Sequence, residues 1–155
     1  MSSVKLKNLI NKNKFFVIAE AGCNHEGDFE TALKMVGEAA KSGAHAIKFQ
    51  SFTVNNLFAV KEYTKKLKLH KNALDGINNI ILKTEWYKPL MAEAKKNKII
   101  FISTPFSIES VLEMEENNIG IYKIASCDID NIPLLNAIAK TKKPVIMSTG
   151  LALNK

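Results

Sequence analysis

The feature that most constrains this chain is a repeated order: a short apolar run ending in polar residues, then a helix-like pattern, then another such run. Residues 15–20, 46–50, 99–104, 121–126 and 144–149 read as strands on length and β-branched or aromatic content. Helix patterns lie between them. Asp28 can cap a helix whose Phe29, Leu33, Val36 and Ala40 share one face and which Lys41 and Gly43 end. Residues 84–97 read as a helix with Pro89 near its start, and Ser107 caps another over 107–117. Asp130 or Asn131 opens a last one, with Pro133 in its first turn and Leu134, Leu135 and Ile138 on one face. Strands joined by single helices require parallel neighbours, so the fold class is α/β.

Both an open doubly wound sheet and a (β/α) barrel fit this rhythm, and the placement of polar residues separates them. Every strand ends in polar chemistry: Glu20, Lys48 and Gln50, Ser103 and Thr104, Lys123 and Ser126, Ser148 and Thr149. In barrels, residues from several strands converge at the carboxyl ends; an open sheet concentrates its ligand groups at one switch point. The first turn, from Ala21 to Gly27, lacks the glycine spacing of a dinucleotide site. The pattern therefore favours a parallel TIM-type barrel. A complete one needs upward of roughly 200 residues, and the 155 present reach past the fifth strand, so the chain reads as about five βα units of eight.

Composition excludes several classes. With 46% hydrophobic and 24% charged residues and only 2 Cys, disorder and a disulfide scaffold are out, and Cys23 and Cys127 are expected to be reduced, small buried thiols. The net charge of +7 invites a nucleic-acid reading, but all 22 basic residues are Lys, and the bidentate Arg fork is absent. Solvated faces and helix ends account for most of the lysines. No run reaches the roughly 18 apolar residues of a membrane span. The basic start followed by residues 15–19 and Ala21-Gly22-Cys23 superficially looks like a lipidated secretion signal, but its apolar stretch is five residues and Glu20 interrupts it, which points to a cytoplasmic protein.

Two strand lysines carry the chemistry. In Ala46-Ile47-Lys48-Phe49-Gln50, alternation places Lys48 and Gln50 opposite Ile47 and Phe49, and Lys123 sits likewise between Tyr122 and Ile124. An ammonium inside an apolar strand costs several kcal/mol, on the order of 2–7, unless an anion offsets it. Either Glu20 or Asp128 supplies that anion internally, or the lysines and the neighbouring hydroxyls form a pocket for a small polyanion such as a phosphate joined to a carboxylate. Ser and Thr at strand ends also cap helices, and Ser103 and Ser107 are assigned to that role. His45 and His70 read as surface or packing residues, and no histidine pair has metal-ligand spacing.

Residues 18–27 (IAEAGCNHEG), 47–50 (IKFQ), 101–106 (FISTPF), 122–126 (YKIAS) and 147–150 (MSTG) together resemble, in order, the motifs of the sialic acid synthase family, which includes N-acetylneuraminate, legionaminate and pseudaminate synthases. The resemblance implies a barrel that condenses phosphoenolpyruvate with an N-acetylated hexose such as N-acetylmannosamine, giving a nine-carbon 2-keto-3-deoxy sugar acid and phosphate. It implies a divalent ion, Mn2+ or Mg2+, that polarises the sugar aldehyde, and a homodimer in the intact form. Carried over by residue, Lys48 and Gln50 match the phosphoenolpyruvate carboxylate region, and Thr104, Lys123, Ser126 and Ser148 its phosphate. Glu20 matches a carboxylate near the reacting centre, and Phe106 an aromatic lining the pocket. Asp128 stands where the family more often has Glu, and Asn24 and His25 match the loop after the first strand, where a structural role and direct contact are both open. The metal-binding histidines and a C-terminal domain lie later in the family's sequence, so the 155 residues alone are expected to be inactive. Residues 51–83 are too long for a simple βα connection, and a short helix over 61–69 is expected as part of a lid or subunit contact. Two other readings stand beside this one: another phosphoenolpyruvate-using aldol barrel, and a non-enzymatic fragment that binds an anion or pairs with a complementary chain.

Overall fold

In a computed structural model, which describes residues 11, 15–53 and 71–152, the chain forms one parallel sheet. Strand β1 (Ile18–Gly22) leads to helix α1 (Phe29–Lys41), then β2 (Ala46–Ser51). Helix α2 (Lys71–Asn79), a 3-10 turn (Thr84–Trp86) and α3 (Tyr87–Lys96) precede β3 (Ile100–Pro105). Helix α4 (Ile108–Glu116), β4 (Tyr122–Ile124), a 3-10 turn (Ser126–Asp128), α5 (Ile132–Lys140) and β5 (Val145–Met147) complete it. The sheet order is β1-β2-β3-β4-β5, each strand pairing with the next in sequence. A doubly wound sheet reverses direction at a switch point; this one does not, and sequential order is that of a (β/α) barrel. The expected helix 61–69 and His70 lie outside the described residues.

The helices start where local chemistry provides caps. Asp28 accepts a hydrogen bond from the Thr31 amide at 2.6 Å, Ser107 from Ser110 at 3.1 Å, and Asn131 from Leu134 at 3.3 Å, so Asn131 rather than Asp130 opens α5. Residues 84–97 divide into the 3-10 turn and α3, with Pro89 at the third position of the α-helix, where it displaces no helical amide bond. Helix α1 buries Ala32, Val36 and Ala39 against the sheet, with Phe29, Leu33 and Ala40 packed alongside.

The two faces of the sheet differ. Ala19, Ala21, Ile47, Phe49, Phe101, Tyr122 and Ile124 join the helices in the main core, which also holds Leu90, Met114, Leu134 and Ile138. On the opposite face Ala46, Ile102 and Ile121, with Phe16, Ile18, Ile100 and Ile146, form a second, smaller cluster. Alternation by two therefore gives β1, β2, β3 and β5 an apolar residue low on this inner face and a polar one above it: Ile18 then Glu20, Ala46 then Lys48, Ile102 then Thr104, Ile146 then Ser148. Ile121, just before β4, and Lys123 follow the same pattern.

One predicted role is corrected here. Ser103 does not cap a helix; it is fully buried on the helix side of β3, its hydroxyl 2.5 Å from that of Ser51 on β2, which also accepts from the Tyr87 hydroxyl at 2.6 Å. Ser103 lies inside the strand, two residues before its end, so its side chain cannot reach the amides that Ser107 satisfies. Burial drives the Tyr87 phenol up to about 12, against the opposing pull of its bond to Ser51. Tyr87→Phe is expected to lower stability by about 1–2 kcal/mol, read from the urea midpoint, because it strips a partner from a buried hydroxyl pair. An unchanged midpoint would show that the phenol contributes packing alone.

Candidate active site

The polar upper layer of the inner face brings Glu20, Lys48, Thr104, Lys123 and Ser148 to the carboxyl ends of neighbouring strands. Strand register sets the first pair: Glu20 lies opposite Lys48, and Lys48 opposite Ile102. The Lys48 ammonium is paired with the Glu20 carboxylate and donates to Thr104 Oγ1 at 3.4 Å. Its side chain is 11% exposed, against 52% for Glu20, so the cation is held in the wall while its counter-ion faces the opening. Of the two internal anions considered, Glu20 is the one that pairs.

Lys123 is held differently. Its Nζ donates to the Ile124 carbonyl at 2.7 Å and to Ser148 Oγ at 2.6 Å, neither of them charged. Burial, and then the nearby Lys48 ammonium, depress its pKa below the ordinary lysine range, against the weaker opposing pull of Glu20 and Cys127. Two ammonium groups thus share the field of one half-exposed carboxylate. An ammonium has three donors, and the described partners of each use two.

The first loop contributes through a bulge. Register shifts between Glu20 and Gly22, the extra residue bends β1, and Gly22 takes φ +53°. The turn brings Cys23 Sγ within 3.5 Å of Gln50 Oε1, to which it donates. Burial and then Glu20 raise the Cys23 thiol, with Lys48 opposing, so it stays protonated as that bond requires. Gln50 is consequently tied to the loop after β1, a contact the sequence carried no signal for.

The remaining candidates divide. Phe106 sits half-buried just beyond β3, its ring edge-on to Phe52 at 6.1 Å and its amide donating to the Ser51 carbonyl at 3.2 Å. Ser126 opens the 3-10 turn that follows β4. Asp128, at the end of that turn, accepts from Asn131 Nδ2 at 3.1 Å and from Cys127 Sγ at 3.7 Å, so its described bonds serve the start of α5 rather than the lysines. Cys127 is exposed, which corrects the reading of it as a buried thiol: it lies on a solvent-facing turn rather than in the strand. His45 does pack, stacking on Phe16 and accepting from the Val17 amide at 3.0 Å.

His25 is fully buried in the loop after β1. Its Nδ1 accepts from the Gly27 amide at 3.1 Å, its ring stands edge-on to Trp86 at 5.5 Å, and its Nε2 is buried with no partner among the described residues. Burial lowers its pKa, so the ring is held neutral, with the proton on Nε2 because Nδ1 accepts. Sequence reasoning left its role open between loop and ligand; the structure makes it a loop residue facing the core.

Among the described residues no three His, Cys, Asp or Glu side chains converge, so they do not build a site for the divalent ion that the resemblance implies. The apolar groove beside β1, lined in part by Val17, Ala19, Met35 and Ala39, opens on the helix side, away from the lysine face. No helix among the described residues is long and apolar enough to cross a membrane.

Comparison with known proteins adds a family to this geometry: the NeuB family model matches residues 35–155. The chain belongs to the NeuB family. It is 42% identical over 144 residues to the N,N'-diacetyllegionaminic acid synthase of Campylobacter jejuni, covering 90% of this chain and 43% of that protein. To the pseudaminic acid synthase of the same species it is 34% identical over 161 residues, covering 96% and 45%. Among solved structures it matches the sialic acid synthetase of Leptospira borgpetersenii in complex with citrate, with a TM-score of 0.77, 37% identity, and coverage of 91% of this chain and 46% of that one. The chain thus spans less than half the length of each of these relatives, and its five-stranded parallel sheet with alternating helices matches the TIM-barrel-like fold of the Leptospira structure.

Proposed function

We propose that this chain forms the phosphoenolpyruvate-holding part of a sugar acid synthase that joins phosphoenolpyruvate to an N-acetylated hexose. The observation that carries the reading is the pair Lys48 and Lys123 on one face, with the Glu20 carboxylate paired to Lys48 alone and the hydroxyls of Thr104 and Ser148 within hydrogen-bond reach. A dianionic phosphate and a carboxylate on one small molecule match two ammonium groups at separate strand ends. The Leptospira relative's complex with citrate, also a small polyanion, is in keeping with this chemistry.

In this reading Lys48 and Gln50 hold the carboxylate, and Lys123, Thr104, Ser126 and Ser148 hold the phosphate. The enol carbon C3 attacks the sugar aldehyde, whose oxygen gains a proton as the carbon–carbon bond forms. Water adds at C2, and the tetrahedral intermediate expels phosphate to leave the keto acid. Glu20, half-exposed beside Lys48, is placed to accept the proton of the attacking water. Phe106 lines the pocket, and Asp128 acts by holding the turn after β4. The names of the relatives, acid synthases of legionaminic, pseudaminic and sialic type, support the product class.

Calorimetric titration of the chain at fixed ionic strength tests this. Phosphoenolpyruvate is expected to bind at least roughly tenfold more tightly than inorganic phosphate or acetate, since only it engages both lysines. Equal, weak binding of all three would reduce the site to general basicity and overturn the reading.

A further inference from the structure

His25 is a buried polar side chain with one nitrogen used and the other without a partner among the described residues, in a loop joined to the proposed site through the Cys23–Gln50 bond. A buried N–H without an acceptor is unfavourable, and an apolar residue of the same bulk would avoid it. What such a residue could not do is accept the Gly27 amide. That amide belongs to a tight series of turns: Asn24 N–H donates to the Ala21 carbonyl at 2.9 Å, Glu26 to Cys23 at 3.0 Å, and Asp28 to the His25 carbonyl at 2.8 Å. Three residues in the series, Gly22, Glu26 and Gly27, have left-handed backbones at φ +53°, +51° and +78°, which for Glu26 a loop without anchors would relax. His25 provides the anchor from inside, its ring seated between Trp86 and Phe49.

We infer that His25 is a positioning residue for the proposed anion site: by accepting the Gly27 amide on Nδ1 while wedged against Trp86, it holds the loop in the one path that sets Cys23 against Gln50. The inference rests on the phosphoenolpyruvate reading for its functional half, and on geometry alone for its structural half. Gln50 has Cys23 as its described partner, so the loop path sets how its amide is presented beside Lys48.

Two variants separate the acceptor from the bulk. Asparagine places Oδ1 the same number of bonds from Cα as Nδ1, and so keeps an acceptor for Gly27; leucine fills the pocket without one. His25→Leu is expected to speed hydrogen exchange of the Gly27 amide roughly tenfold, as loss of a single hydrogen bond predicts, while His25→Asn stays within about threefold of wild type. The same leucine variant is expected to weaken phosphoenolpyruvate binding at least roughly fivefold by calorimetry, with asparagine restoring most of it.

Unchanged exchange in His25→Leu, or equal acceleration in both variants, overturns the inference, because then the acceptor does not hold the loop. Accelerated exchange in leucine alone, with phosphoenolpyruvate affinity unchanged although Lys48→Ala weakens it, also overturns it, by reducing His25 to a local turn residue. If Lys48→Ala leaves the affinity unchanged too, the anion reading has failed, and the exchange data judge the anchoring by themselves. Should the leucine variant not fold, nitrogen NMR shifts of His25 in the wild-type protein decide: a proton on Nε2 with Nδ1 accepting supports the anchor, and a proton on Nδ1 excludes it.

Discussion

Lys123→Ala is expected to weaken phosphoenolpyruvate binding roughly 100-fold, a loss of about 2.7 kcal/mol, while Lys143→Ala changes it less than twofold. The contrast comes from where the two ammonium groups sit. Lys143 is committed to Glu115 at 2.5 Å and lies over the ring of Tyr122 in the helix layer. Among the described residues Lys123 donates to the Ile124 carbonyl and the Ser148 hydroxyl, both neutral, and feels the Lys48 ammonium nearby. A phosphate would give it a charged hydrogen-bond acceptor in place of neutral ones, and truncation removes that charge-assisted bond. The pH dependence has a definite sign. Burial and Lys48 push the Lys123 pKa below 10.5, so affinity is full where the ammonium is protonated and is lost as pH rises through that depressed value. Because a bound anion raises the pKa again, binding on the alkaline side should take up protons, measurable as a buffer-dependent heat. Equal effects of the two substitutions, or affinity that climbs with pH, would contradict the assignment.

Gly27→Ala is expected to cost about 2–5 kcal/mol, far more than Gly43→Ala at about 1 kcal/mol. Both glycines have left-handed backbones, at φ +78° and +84°, so the conformational penalty of adding a side chain is shared. Space is not. A Cβ on Gly43 meets nothing within 4 Å, whereas one on Gly27 would lie 1.9 Å from the Asn79 carbonyl oxygen. That neighbour is backbone, at the end of α2, and cannot rotate away. Relief requires separating the loop after β1 from the α2 segment, which disturbs the Gly27–His25 bond as well. Circular dichroism melts should show Gly27→Ala falling by roughly 5–15 °C, and Gly43→Ala by only a few degrees. Similar melts for the two would mean that the loop and the end of α2 are not pressed together in solution.

Much of the fold was legible because the strands are short and three of them, β1, β3 and β4, are followed by a cap that the next helix needs. Asp28, Ser107 and Asn131 announce helix starts by local chemistry, and their amide bonds form within three residues. The strand boundaries were less exact. The first strand begins at Ile18 rather than at residue 15, because ladder pairing with Ala46 starts there, and β4 and β5 each contain three residues. Lys48 and Lys123 were readable as site candidates because an ammonium breaks the apolar run expected of a buried strand. Ser51 and Ser103 break it too, on the helix face, but that signal looks the same as a helix cap until the strands are paired. Asp128, also a carboxylate near a strand end, has Asn131 and Cys127 as its described partners, contacts that its position in the sequence did not announce.

What the sequence determined by itself was periodic and local: parallel βα units, the face on which each strand residue lies, the helix caps, and two lysines set within otherwise apolar strands. Those follow from steric alternation and from bonds between residues a few positions apart, which no distant contact can reassign. Only the tertiary structure decided which long-range partners meet, because register between strands is a matter of which hydrophobic faces pack together. Register placed Glu20 opposite Lys48 and so chose its counter-ion. Packing of α3 on the sheet turned Ser51 and Ser103 into a buried hydroxyl pair with Tyr87, and closed Trp86 and Phe49 around His25. For the hydroxyl pair the deciding cause is desolvation: a Ser that is indifferent in an exposed strand end must find a specific partner once packed elements remove it from water.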